Sequence, residues 1–183
     1  SGCTQMVSVE RIIEFGNLSP EAPLEADRYR DFKPDKDTSI IVKNLTTRYR
    51  SNLPVCLDGV SFQIEAGQRV GVVGRTGSGK SSLVQALFRI LEAETGSIEI
   101  NGIDISSIGL HKLRTSMAVI PQFPVLFSGC TIRENLDPFS KYSENNIREA
   151  LEAVQMIDVI DALPGRLNAS VADGGANFSV GQR

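Results

Sequence analysis

The stretch Gly74-Arg75-Thr76-Gly77-Ser78-Gly79-Lys80-Ser81 constrains this chain more than any other, because it fits the pattern G-x-x-x-x-G-K-[ST] without mismatch. Four glycines fall within the nine positions from Gly71 to Gly79. A loop that wraps phosphate must turn several consecutive backbone N–H groups inward, and residues without a Cβ take that shape at least steric cost. The preceding run Arg69–Val73 (RVGVV) is apolar without alternation, which predicts a strand buried on both faces of a sheet. The following run predicts a helix from Lys80 to about Leu91, with Leu83, Val84, Leu87 and Ile90 along one side. A helix start adds free N–H groups and a partial positive charge to such a loop. Lys80 supplies a full charge to the β/γ-phosphates of a nucleoside triphosphate, and the Ser81 hydroxyl is placed to ligate Mg²⁺. The expected phosphate-binding residues are therefore Gly74, Arg75, Thr76, Gly77, Ser78, Gly79, Lys80, Ser81 and Ser82. A dinucleotide-binding fold fits less well, since no G-x-G-x-x-G follows the strand and Lys80 has no part in that motif.

The rest of the chain reads as a mixed α/β protein around that loop. Ser39–Leu45 (SIIVKNL) and Val60–Ile64 (VSFQI) predict strands, with a turn at Glu65–Gln68. Gly96–Ile105 carries Asn101-Gly102 between two alternating segments, a strong hairpin signal. Met117–Pro121 (MAVIP) predicts another buried strand, and Glu144–Leu163 a helix with Ile147, Leu151, Val154 and Ile157 at period 3.6. Upstream, Gln5–Phe15 places Met6, Val9 and Ile13 at helical spacing, and Leu18–Asp37, with Pro20, Pro23 and Pro34 among many charges, reads as an extended linker. Gly165–Asn177 is loop-like.

Composition excludes several classes. The formal charge is -3, without the basic face a nucleic-acid binder would need, so no nucleic-acid partner is expected. Cys3, Cys56 and Cys130 lie far apart with no CxxC pair, which argues against a disulfide framework or a zinc site. No run of about 18 apolar residues spans a membrane.

Other landmarks must choose among the many proteins with such a loop. Near the end, Asn177–Arg183 (NFSVGQR) is by physics a loop with a helix cap at Ser179. By spacing alone Tyr49 is a half-exposed strand aromatic, Gln122 a loop residue after Pro121, and His111 a surface residue on a short helix. Taken together, these segments resemble the ATP-binding-cassette (ABC) transporter family. Phe178–Gln182 resembles its signature L-S-G-G-Q, with Phe178 for the Leu and Val180 for the first Gly. Gly109–Arg114, Pro124–Gly129, Arg133–Phe139, Ser8–Ile12 and the ending NFSVGQR are similar to subfamily C, the multidrug-resistance-associated branch, and most to its second nucleotide-binding domain.

The resemblance implies a P-loop NTPase-type core with an antiparallel β subdomain and a helical subdomain. It implies Tyr49 stacking on adenine, Gln122 joining Ser81 at Mg²⁺, and Ser179, Gly181 and Gln182 closing on ATP held by a second, head-to-tail nucleotide-binding domain. It further implies residues 1–38 as a run-out helix and linker from transmembrane domains, and 39–183 as the front part of an ATP-binding domain on the cytoplasmic face of a membrane exporter. Three departures stand out: Val180, Phe123 where the family usually has an acidic residue, and Cys130, which lengthens the segment between Gly129 and Ile132 by one. The family's general base follows the signature in an apolar strand ending in Asp-Glu, and its switch histidine comes later still. No such Asp-Glu run occurs here, so no catalytic residue is assigned and the domain is expected to be incomplete at its C-terminus, inactive alone and aggregation-prone. A non-hydrolysing ATP-binding regulatory module, and a P-loop kinase or GTPase (for which an N-K-x-D motif is lacking), remain as alternatives.

Overall fold

The computed structural model describes residues 2–18, 20–26, 28–35 and 37–183, with side chains from residue 9 onward. The chain divides into two compact units, Ser1–Ala118 and Val119–Arg183.

The first unit opens with helix α1 (Gly2–Gly16), which contains the expected Gln5–Phe15 helix. Val9 and Ile13 of its apolar stripe are exposed, as are Ile12 and Phe15; Met6 lies outside the described side chains. The body is a four-stranded antiparallel sheet in the order β2-β1-β3-β4. Its strands are β1 (Ile40–Thr47), β2 (Leu57–Ile64), β3 (Thr95–Ile100) and β4 (Ile103–Asp104). β1 pairs with β2 on one side and β3 on the other, with register shifts after Val42 and after Leu45 on the first and after Lys43 on the second. Without an extra residue, Val42 and Leu45 would point to opposite faces; the bulge at Lys43-Asn44 returns both to the core. Asn101 and Gly102 close the β3–β4 hairpin with φ of 51° and 73°, the left-handed pair that a two-residue turn requires.

The sheet packs its Val42, Leu45, Leu57, Ile98 and Ile100 against Ala86 of helix α2 (Lys80–Leu87) and against Ile105, Ile108 and Leu113. Leu113 belongs to helix α3 (Leu110–Thr115), where His111 is exposed as expected. Helix α2 is shorter than periodicity predicts. Phe88 caps it, Arg89 turns the chain at φ 51°, and the core-facing side is Ser82, Leu83, Ala86 and Leu87, which leaves Val84 and Ile90 exposed.

The Pro-rich segment before β1 is extended, yet it belongs to the unit. Phe32 is buried in the sheet's core and Tyr29 packs beside it. Pro23 and Leu24 carbonyls accept from the Leu110 and His111 N–H groups at 3.2 and 3.0 Å. Arg114 donates at once to the Phe88 and Arg89 carbonyls and, through both terminal nitrogens, to Glu21. That guanidinium holds the Glu21 carboxyl below its ordinary range, by hydrogen bonding first and charge second.

The second unit is helical: α4 (Ile132–Leu136), α5 (Glu144–Ala153) and α6 (Ile157–Asp161), followed by single 3-10 turns. Ile132, Ile147, Leu151, Ile160, Leu167, Val171 and Phe178 form its own core. The single helix expected over Glu144–Leu163 is broken. Gln155 takes φ 59°, Met156 N–H bonds back to the Leu151 carbonyl, and Val154 turns to solvent. Thr131 and Glu134 form a reciprocal cap on α4, and the Thr131 N–H and hydroxyl hold Glu134 ionised below its ordinary range. Tyr142 and Lys141 N–H groups do the same for Asp137, and the Arg148 fork does so for Asp161.

Arg69–Val73 and Met117–Pro121 are not buried strands here. Neither enters a β ladder, and Val73 and Ile120 are 97% and 95% exposed. Apolar sequence makes a segment fit for a sheet interior, but it becomes a strand only where a neighbouring strand offers it hydrogen bonds. The one sheet among the described residues is antiparallel and built from other segments.

Candidate functional site

The phosphate-loop residues run from the end of that unpaired segment into the first turn of α2. Gly77 and Gly79 have φ of 82° and 90°, and Gly79 is the residue before the helix. A Cβ on Gly79 would lie 2.8 Å from the Cys56 carbonyl and 2.9 Å from Leu57, so the loop end is seated against the entry to β2. A Cβ on Gly74 would collide with the Ser78 hydroxyl, so the loop closes on itself at a point where only glycine fits. Leu83 N–H makes the first intrahelical bond, to the Gly79 carbonyl at 2.9 Å. The N–H groups of Lys80, Ser81 and Ser82 before it have no carbonyl within the helix to bond, which leaves an array of donors at the positive end of the helix dipole.

Lys80 folds back across this arc. Its Nζ donates to the Gly74 and Arg75 carbonyls, at 2.7 Å each, and lies 3.5 Å from the Ser78 Oγ. The ammonium thus stands over the loop's interior, where a polyphosphate would bring its oxygens. Ser81 is exposed, whereas Ser82 is buried and directs its hydroxyl away, to the Tyr49 phenol at 3.0 Å.

Tyr49 follows the end of β1, and the structure brings it to the phosphate loop across 33 positions of sequence. It is half exposed, as its spacing alone suggests. The β1–β2 connection that carries it is braced: Cys56 N–H and Sγ both donate to the Thr47 carbonyl, and Arg48 donates to the Leu53 carbonyl. The same Cys56 abuts Gly79, so one end of the antiparallel sheet supports both the aromatic ring and the loop.

Gln122 and the residues Ser179, Gly181 and Gln182 belong to the second unit. Gln122 lies on an exposed bend beside Phe123, also exposed. The Ser179 N–H donates to the Gln182 Oε1 at 2.9 Å, closing a single 3-10 turn at Val180–Gln182. Buried Phe178 anchors this turn in the unit's core, and Arg183 donates to the Phe178 and Gly174 carbonyls behind it. Val180, which stands for the signature's first glycine, is exposed to solvent. No group of His, Cys, Asp or Glu that could hold a metal ion occurs among the described residues, and Cys56 and Cys130 are free thiols. No described helix is long and apolar enough to cross a membrane.

Sequence reasoning missed the link between Tyr49 and Ser82 and the docking of the Pro-rich segment. Both join residues far apart in sequence that carry no periodic or motif signal.

Comparison with known proteins identifies the family. The family model described as ABC transporter matches residues 57–183. ABC transporter C family member 8 of Dictyostelium discoideum is 51% identical over 178 residues, which are 97% of this chain and 11% of that protein. ABC transporter C family member 9 of Arabidopsis thaliana is 48% identical over 181 residues, 98% of this chain and 12% of that protein. ATP-binding cassette sub-family C member 2 of Rattus norvegicus is 47% identical over 180 residues, again 98% and 12%. The chain thus spans about an eighth of the length of these relatives. It carries the α/β P-loop NTPase domain of that family, and the chain belongs to the ABC transporter family, with relatives in its subfamily C.

Proposed function

We propose that this chain is the ATP-binding part of an ATP-driven membrane exporter of the subfamily C type. The observation that carries the reading is the closed arc of Gly74–Ser82 with the Lys80 ammonium over its interior and Tyr49 fastened at its rim. In this reading the loop's backbone N–H groups and Lys80 hold the β/γ-phosphates, and Tyr49 stacks on the adenine. Residues 39–183 are the nucleotide-binding domain's front part, and residues 1–38 lead in from transmembrane domains.

Mg²⁺ is a hard cation commonly held by one or two protein oxygens together with phosphates and waters, which suits the chemistry of a serine hydroxyl and a glutamine side-chain carbonyl. Ser81 and Gln122 are the residues we assign to it; a bound ion would offset negative charge on the phosphates. Ser179, Gly181 and Gln182 serve the ATP of a second nucleotide-binding domain packed head to tail, and the domain lies on the cytoplasmic face of the membrane. Hydrolysis belongs to the whole exporter; binding without turnover is expected of these 183 residues alone, which hold no Asp-Glu at the end of an apolar run.

The test is ATP-dependent transport by the longer protein that contains this chain, in inside-out membrane vesicles. Lys80→Ala should reduce the ATP-dependent, vanadate-sensitive uptake by at least about tenfold, the scale of a lost charge-assisted phosphate contact. Uptake unchanged by Lys80→Ala, or no uptake that depends on ATP, would contradict the proposal.

A further inference from the structure

The phenol of Tyr49 and the hydroxyl of Ser82 meet at 3.0 Å, and the two groups differ sharply in environment. Ser82 is 6% exposed inside the first turn of α2, whereas Tyr49 is 50% exposed, so the buried hydroxyl fixes the tip of a ring whose surface stays half open. The backbone that carries the ring is already constrained. Thr47 is held by Cys56, Arg48 donates to the Leu53 carbonyl and pairs with Glu94, and Leu53 N–H closes on the Arg50 carbonyl. What freedom remains lies in the ring's own torsions, and a bond at its far end removes it.

We propose that Ser82 is a positioning residue: its hydroxyl holds the Tyr49 ring in place before a base arrives and so raises the site's preference for a nucleotide over bare polyphosphate. This rests on the reading of Tyr49 as the adenine-stacking residue. It also changes the part expected of Ser82, whose side chain is turned to Tyr49 and whose backbone N–H alone is left for phosphate. A ring held in its stacking pose has no rotamer freedom to lose on binding, whereas a loose ring must be ordered by the ligand. The tether acts only on ligands that carry a base, because tripolyphosphate meets the loop and not the ring.

The experiment measures affinities for ATP and for inorganic tripolyphosphate, at one fixed Mg²⁺ concentration, on the 183-residue chain and its variants. The readout is the ratio of the tripolyphosphate Kd to the ATP Kd. Tyr49→Phe keeps the ring and removes only its hydroxyl; it should lower the ratio about fivefold, the scale of one net hydrogen bond. Ser82→Ala should lower it equally, the double variant no further, and Ser82→Thr should keep it near the wild-type value. Should Ser82→Ala fail to fold, Tyr49→Phe and Ser82→Thr still decide the matter. A wild-type ratio in Tyr49→Phe, with a lowered ratio in Tyr49→Ala, would overturn the tether and leave the stacking role standing. An unchanged ratio in Tyr49→Ala would overturn the stacking role, and the tether with it.

Discussion

Strand β1 and the segment Arg69–Val73 are built from similar residues and end in opposite states. In β1, Val42 and Leu45 are sealed in the core, with β2 and β3 bonded on either side. In the other segment, Val70, Val72 and Val73 are exposed and the backbone joins no ladder. Local β propensity is alike in both, so the difference lies in neighbours. In the antiparallel sheet β3 and β4 pair through the tight Asn101-Gly102 turn and β2 follows β1 after a short connection, while β3 returns to β1 from far along the chain, with Ile100 opposite Ile40. A parallel strand needs partners from distant crossovers, and its apolar sequence by itself supplies none of their hydrogen bonds.

The strongest way to break this comparison is substitution at matched apolar positions. Leu45→Ala should destabilise the first unit by about 3 kcal/mol, the cost of a cavity in a closed core. Val73→Ala should change stability by less than about 0.5 kcal/mol, since nothing packs on it. Urea unfolding of the two variants checks both, and equal losses would mean that Arg69–Val73 is buried in solution. Next in size is Gly79→Ala, where a Cβ meets the Cys56 carbonyl at a φ of 90°. It should cost about 1–3 kcal/mol and loosen the phosphate loop, reaching the sheet core only at Leu57, whose side chain the new Cβ also meets. Amide exchange should then rise at Lys80–Ser82 and stay unchanged at Val42 and Ile98.

A smaller effect concerns association. Exposed Val72, Val73, Val119 and Ile120, with unpaired backbone beside them, should drive self-association of the chain. Val73→Asp combined with Ile120→Asp should shift light scattering toward monomer with little change in melting. A cooperative melt from a wild-type monomer at high concentration would contradict this. The subtlest effect separates the two units by pH. Glu134, Asp137 and Asp161 in the second unit, and Glu21 in the first, are held below their ordinary values by hydrogen bonds and cations. Their ionised forms therefore stabilise the fold above the ordinary carboxylate range, and that contribution is lost as pH falls through the lowered values. With three of these four groups in the second unit, its amides should lose protection first on acidification. Earlier loss in the first unit would contradict the assignment.

Much of this was legible in sequence, for identifiable reasons. The glycine-rich arc leading into α2 was, because the pattern from Gly74 to Ser81 marks a tight loop that ends in a helix start. The β3–β4 hairpin was, because Asn-Gly takes the left-handed turn at little cost. The break between α5 and α6 was not, because the chain turns at Gln155 without the glycine that usually marks a left-handed cap. Phe32 was not, since one aromatic in a charged, Pro-rich stretch has no period to reveal its burial. The seating of Tyr49 on Ser82 was invisible because each side chain fits a local role, and only the fold brings them together.

The central claim is that the Gly74–Ser82 arc, with Lys80 across it, binds the phosphates of ATP without help from a ladder at Arg69–Val73. Titration of the 183-residue chain and its Lys80→Ala variant with ATP, followed by calorimetry, tests it most directly. The account predicts saturable binding that weakens at least about tenfold in Lys80→Ala. Equal affinity in both would contradict it.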